Sequence, residues 1–244
     1  MHFRRRKHAA LQPLRMKDIR AVRGRRYILG LIAEGEHEHQ DFKYSITDAC
    51  KIAKSISAFA NNGGGRLLIG VKDNGTVAGV RNEEDIYMVE QAAELYCRPA
   101  QHIEFTAFRV DAQAVVIRAS IAKCDERPVQ ARDTDGTWSA YYRVADENIH
   151  AHPLMVAAWR RSNASAGGIV LRAGGLESRL LEHVASAGGA GVLPESVAPA
   201  MCISRASASG LITRLAAIGV LDFRYDGTAF RIVLPDAGDI QAGQ

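Results

Sequence analysis

Nothing in this sequence is arranged to chelate a metal through sulfur or to be stapled by disulfides. Its four cysteines, Cys50, Cys97, Cys124 and Cys202, are scattered, with no CxxC pair and no close His–Cys grouping. That pattern argues against a structural zinc or a disulfide framework and predicts reduced thiols, hence a cytoplasmic protein. Long apolar runs are missing as well: no stretch approaches the roughly 20 residues that a membrane span requires. The basic start, MHFRRRKHAA, lacks the apolar core of a secretory signal. No membrane partner is therefore expected. A P-loop is also missing, because no G-K-[ST] follows any glycine run.

What is present is a normal globular composition with lopsided charge. Apolar residues make up 47% of 244 positions, enough for one domain of about 150 residues and a smaller second one. Residues 1–26 hold ten Lys/Arg and one acid, a balance of +9 in a chain whose net charge is only +4, so the remaining 218 residues carry −5. A basic arm on a mildly acidic body points to an anionic partner, most simply nucleic acid. The alternative is a solvated tail that only aids solubility.

Periodicity places the elements. Residues 1–16 read as loosely attached, and apolar positions from Met16 to about Ala33 recur at helical spacing, aligning Arg20, Arg23 and Arg26 along one face. The acidic stretch 34–44, with Glu34, Glu36, Glu38 and Asp41 around His37 and His39, reads as an extended segment. It is either an exposed loop entering a strand or a set of oxygen ligands for a divalent cation. Thr47 or Asp48 caps a helix running to about Ala60, with Lys51 and Lys54 toward its polar side. Asn61, Asn62, Gly63 and Gly64 then either cradle a phosphate through backbone N–H groups or simply stop the helix before the apolar strand from Arg66 to Val71. Asp73-Asn74-Gly75 predicts a hairpin turn with a return strand over 76–80, and a second helix covers 82–96. Strands over 102–110, 113–121, 126–130 and 138–144 are expected to complete one sheet, and a helix over 152–161 closes the domain. In the strand 138–144, Arg143 pairs with an acid, Glu126 or Asp146, or else contacts phosphate.

A small-residue linker spans 162–175, and a different pattern follows over 176–234. Three helices and a terminal β-hairpin there match a winged helix-turn-helix. Its third helix, capped by Ser204, carries Arg205, Ser207 and Arg214 toward a DNA groove, and Arg224 and Arg231 on the wing face phosphates. Five Arg balance five acids over 176–234, so this domain has little charge-driven affinity of its own and serves equally as a dimerisation unit. The tail 235–244 is expected to be disordered.

Five motifs in order carry a family resemblance. They are E-x4-D-F-K (Glu36, Asp41, Phe42, Lys43), S-x-S-A-F-A-N-N-G-G-G (Ser55 to Gly65), L-L-I-G-V-K-D-N-G (Leu67 to Gly75), E-R-P-V (Glu126 to Val129) and Y-Y-R-V (Tyr141 to Val144). Together, over roughly residues 30–152, they resemble the Schlafen AlbA-like domain, also labelled a divergent ATP-binding or DNA-binding domain of bacterial regulators. The resemblance implies an α+β fold built on a mixed sheet, commonly joined to a C-terminal winged helix, and nucleic-acid binding. In related domains three acids and a divalent metal cleave structured RNA; Glu36, Asp41 and Asp73 stand at the matching positions here, with Mg or Mn as the implied ion. Three positions depart from the pattern: Asp41 is one methylene shorter than the usual Glu, Lys72 stands where many members carry an acid, and Ala145 replaces a Gly.

These readings converge on a DNA-binding transcriptional regulator, expected to be a homodimer, with DNA a better-supported partner than RNA. The basic arm, Lys43, Lys51, Lys54 and Arg66 would supply phosphate contacts. The alternatives are a metal-dependent endoribonuclease using Glu36, Asp41 and Asp73, and an ATP-binding regulator whose winged helix dimerises.

Overall fold

The computed structural model describes residues 19–164 and 174–235; the basic positions before Ile19, most of the expected linker and the tail beyond Pro235 lie outside them. The chain is mixed α+β and divides into two compact units. The first holds the chain up to Lys123 together with Val129–Ile149, and the second holds Cys124–Pro128 and the chain from His150 onward.

The first unit contains a five-stranded mixed sheet. Its strands, in spatial order, are β1 (Val22–Arg23), β5 (Ile103–Arg109), β6 (Val115–Ile121), β3 (Gly65–Ile69) and β2 (Gln40–Lys43). The outer pairs β1–β5 and β2–β3 are parallel and the inner pairs antiparallel. A parallel pair needs a crossover, and between β2 and β3 that crossover is helix α2 (Ala49–Asn61). Asp48 caps α2, its carboxylate accepting from the backbone N–H groups of Cys50 and Lys51.

The helix expected from Met16 to Ala33 is instead a strand, a break and a shorter helix. Val22 and Arg23 pair with Phe108 and Arg109, and α1 covers only Arg25–Glu34. Gly24 makes the break, because a Cβ there would fall 2.3 Å from the Phe108 ring. Arg20, Arg23 and Arg26 therefore do not share a helix face: Arg20 precedes β1, Arg23 lies in it and Arg26 in α1. The apolar side of α1, Ile28 and Leu31, closes over Phe42, Leu68, Phe108 and Val116 to form a core on one half of the sheet.

The strands after Tyr96 do not all extend that sheet, as the apolar pattern had implied. β4 (Cys97–Arg98), β7 (Gln130–Arg132), β8 (Trp138–Val144) and β9 (Glu147–His150) form a second sheet of four. Helix α2 packs against both sheets and against α3 (Glu84–Leu95), which explains why almost every residue from Ile52 to Asn61 is buried. The expected return strand after Gly75 shrinks to a single bridge, Val71 to Val77.

In the second unit, α4 (Pro153–Ala164) packs on α7 (Arg205–Ala217), and α5 (Leu176–Ser186) and the short α6 (Val197–Met201) pack beside α7. Strands β10 (Asp222–Tyr225) and β11 (Phe230–Val233) form an antiparallel hairpin, and Val192 adds a bridge to Ile232. Leu180, Val184, Leu211, Ile212, Leu215 and Ile232 are buried to 2% exposure or less. Among the described residues, no helix is long and apolar enough to cross a membrane.

Candidate nucleic-acid interface

A groove of about 450 Å³ lies between the outer side of α2, the end of β2 and the β8–β9 turn. It brings together Lys43, Lys51, Lys54 and Arg143, which lie up to 100 positions apart in sequence. Asp41, Asp146 and Glu147 line it too, leaving one net positive charge, and Ser55 and Asn148 complete its polar wall.

Arg143 is the innermost cation, 1% exposed, and its partner is neither Glu126 nor Asp146 but Asp41, at 3.4 Å. It also donates to Asn148 Oδ1 at 3.0 Å and to the carbonyls of Gln40 and His37, and lies over the Phe59 ring. Its role is to anchor β2 and the β8–β9 turn, as expected of a buried guanidinium with fixed geometry. Lys43 Nζ sits 2.7 Å from the other oxygen of Asp41. Lys54 pairs with Asp133 at 3.0 Å, which holds the amine above its ordinary pKa. Lys51 is exposed on the first turn of α2. Lys43, Lys51 and Lys54 thus present three ammonium groups at the groove mouth, two of them already oriented by a carboxylate.

Glu36 and Asp41 do meet. Burial and then a hydrogen bond to Asp41 raise the Glu36 pKa, and Glu36 Oε1 accepts from the Phe42 N–H at 2.7 Å. Asp73 is not with them; it lies exposed on its turn, and among the described residues no group of three His, Cys, Asp or Glu is placed to hold a metal ion. The donor set does not fit a divalent cation. Asp41 is already neutralised by Lys43 and Arg143, so a metal would have to displace two cations from a nearly buried carboxylate. Within 34–44 only Gln40–Lys43 is a strand: Glu34 ends α1, His37 bridges back to Gln40, and His39 Nδ1 lies 2.8 Å from the Gly64 carbonyl.

The asparagines of the glycine turn serve the fold. Asn61 Nδ2 donates to the Val129 and Tyr141 carbonyls and Asn61 Oδ1 accepts from the Val129 N–H, tying α2 to the second sheet. Asn62 donates to the Arg143 carbonyl. Gly64 N–H donates to the Phe59 carbonyl at 2.8 Å, the capping bond of a helix C-terminus. Asn62 N–H likewise donates to the Ala58 and Phe59 carbonyls, so these backbone groups cap α2 and are not left to cradle a phosphate. Arg66 lies outside the groove, paired with Glu34 and Gln40.

In the second unit Arg205 and Ser207 are exposed on the first turn of α7, and Ser204 caps that turn by accepting from the Ser207 N–H. Arg214 pairs with Glu177 at 2.8 Å, Arg231 with Asp226, and Arg224 donates to the Gly189 carbonyl. Sequence reasoning named Asp146 only as a partner for Arg143 and missed Glu147 and Asn148, because β9 is short and its turn carries Ala145 rather than a glycine. Ala145 adopts φ +50°, so the backbone there is left-handed as a glycine's would be.

The family model described as "Schlafen, AlbA_2" matches residues 36–152, just under half of the chain. Among solved structures, the DIP2311 protein from Corynebacterium diphtheriae is 23% identical over 59% of this chain and 28% of its own, with a TM-score of 0.39. No curated protein matches the sequence. Over residues 36–152, the chain is similar to the Schlafen AlbA_2 family.

Proposed function

We propose that this protein binds nucleic acid through the Lys43–Lys51–Lys54 groove, without a metal ion, and acts as a DNA-binding regulator. The observation that carries this reading is the gathering of these lysines with Arg143 into one groove. Phosphate neutralisation by Lys and Arg is the general source of nucleic-acid affinity. The match of residues 36–152 to the Schlafen AlbA_2 family model supports the same class of partner. The second unit is read as a winged helix whose α7 enters a DNA groove: its first turn exposes small residues and Arg205. With Arg214, Arg224 and Arg231 engaged inside the unit, its affinity is modest, and pairing of two copies would be needed to reach a specific site.

The test is fluorescence anisotropy of a labelled DNA duplex and a labelled RNA hairpin in EDTA, comparing wild type with Lys51→Ala/Lys54→Ala. Binding in EDTA that weakens in the double variant is the expected result. Binding that requires Mn²⁺, or cleavage of the RNA on adding it, would sink the metal-free reading.

A further inference from the structure

Helix α1 is too short to cover the five-stranded sheet. It ends at Glu34, turned by Gly35, and packs over Phe42, Leu68, Phe108 and Val116. Farther along the same face, Arg66 on β3 and Arg118 and Ser120 on β6 follow in register, Arg66 opposite Ser120 and Leu68 opposite Arg118. With His39 and the glycine turn they line a cavity of about 370 Å³. No carboxylate is among its lining residues. Glu34 is held by Arg66, and Glu104, in register with Ser120 on β5, is exposed.

Arg118 is the unusual member. Its guanidinium lies 5.7 Å from the Tyr27 and Phe108 ring centroids, with Nη1 donating to Tyr27 Oη. Its Nε is buried and has no acceptor among the described residues. The Nη1 bond to Tyr27 leaves the opposite edge of the guanidinium, Nε with Nη2, as a side-on pair of donors. Such an edge matches two oxygens of a phosphate bidentately. His39 lines the same cavity, and because a carbonyl only accepts, its Nδ1 carries the proton in the contact with Gly64.

We propose that this half of the sheet, which no described helix covers, is a second binding site, taking a phosphate-type oxyanion on the Nε–Nη2 edge of Arg118 with support from Arg66 and Ser120. The site is separate from the lysine groove, and the proposal stands whether or not that groove binds nucleic acid. The glycine turn is the wall of this site and not its ligand set: Gly64 already donates to Phe59. The phosphate belongs either to a free nucleotide or to the end of a nucleic-acid strand, and the shared chemistry is a phosphate monoester carrying about two negative charges.

The full-length protein tests this in two arms. Calorimetry with inorganic pyrophosphate probes the free ligand; competition between a 5′-phosphorylated and a 5′-hydroxyl oligonucleotide probes the strand end. Wild type is expected to bind pyrophosphate, to prefer the phosphorylated oligonucleotide, or both. Arg118→Met should weaken that binding by roughly tenfold or more, the loss of a charge-assisted bidentate contact. Arg118→Lys, which keeps the charge but not the fork, should weaken it several-fold. Lys51→Ala/Lys54→Ala should leave pyrophosphate binding unchanged. Circular dichroism reports folding of each variant, and if Arg118→Met unfolds, Arg118→Lys decides. Failure of wild type to bind pyrophosphate and to distinguish the oligonucleotides, or full retention of binding by a folded Arg118 variant, overturns the proposal.

Discussion

The lysine groove and the sheet-face cavity of the first unit are built on opposite plans. The lysine groove sets four cations against three acids, and its deepest members, Asp41 and Arg143, neutralise each other. The sheet-face cavity has two arginines and a histidine and, among the described residues, no lining acid and no acceptor for one arginine nitrogen. The first plan spends much of its charge on folding and leaves its mouth lysines to meet a polyanion. The second leaves a defined donor edge, which suits one phosphate better than a backbone. Counting Lys and Arg ranks the groove higher; the cavity differs in offering an arginine edge of fixed geometry. Substitutions separate the two plans.

The largest expected effect is in the groove. Asp41→Ala leaves Arg143 buried without its carboxylate, and breaking a buried pair in this way costs about 3 kcal/mol. Urea denaturation of both proteins measures it, and a loss near zero would show that Asn148 and the backbone carbonyls suffice for Arg143. In the sheet-face cavity the corresponding element is the turn. Gly64 sits at φ +92°, and a Cβ there would lie 2.9 Å from the Ile121 carbonyl oxygen. Gly64→Ala should therefore destabilise by about 2 kcal/mol. If stability held and only anion binding fell, the glycine would serve the ligand and not the fold.

A pH profile sharpens the contrast. Glu36 titrates above its ordinary value of 4.5 in the folded state, chiefly from burial and then from Asp41. Between those two values the folded state holds the extra proton, so this group's contribution to stability falls as pH rises through that window and stays lower above it. Glu36→Gln should remove the fall, leaving acid stability unchanged and raising the melting temperature at neutral pH. Solvent screening keeps that gain below about 1 kcal/mol. A neutral-pH loss would mean the carboxylate is needed for the Phe42 contact. The smallest change is Ala145→Gly at the groove rim, which relieves a left-handed backbone and should add about 0.5 kcal/mol, read by the same denaturation.

Much of the fold was legible in the residues because local chemistry and tertiary structure agreed. Asp48 caps α2 where capping chemistry placed it, and the buried stripe of α2 follows its apolar spacing. The family motifs were legible as well, and residues 36–152 match the family model. The misreadings arose where a tertiary contact overrode a local pattern. Val22 and Arg23 became a strand because β5 offers them a free parallel edge, which helical periodicity cannot register. The β8–β9 turn was hidden because Ala145 does not advertise a left-handed backbone. At the candidate site, Lys43, Lys51 and Lys54 were named from sequence and do line one groove. That Asp73 stays apart from Glu36 and Asp41 was not recoverable from spacing, since 32 positions and a helix separate Asp73 from Asp41. Arg118 gave no signal, because a lone arginine in an alternating strand looks like any solvent-facing residue.

The central claim, that the lysine groove meets a phosphate backbone without a metal, is tested most directly by salt dependence. Binding of duplex DNA in EDTA is measured across a range of salt concentrations for wild type and for Lys51→Ala/Lys54→Ala. Loss of two phosphate contacts should make the slope of log K against log salt shallower by about 2. An unchanged slope with intact folding would place the phosphate contacts elsewhere and contradict the account.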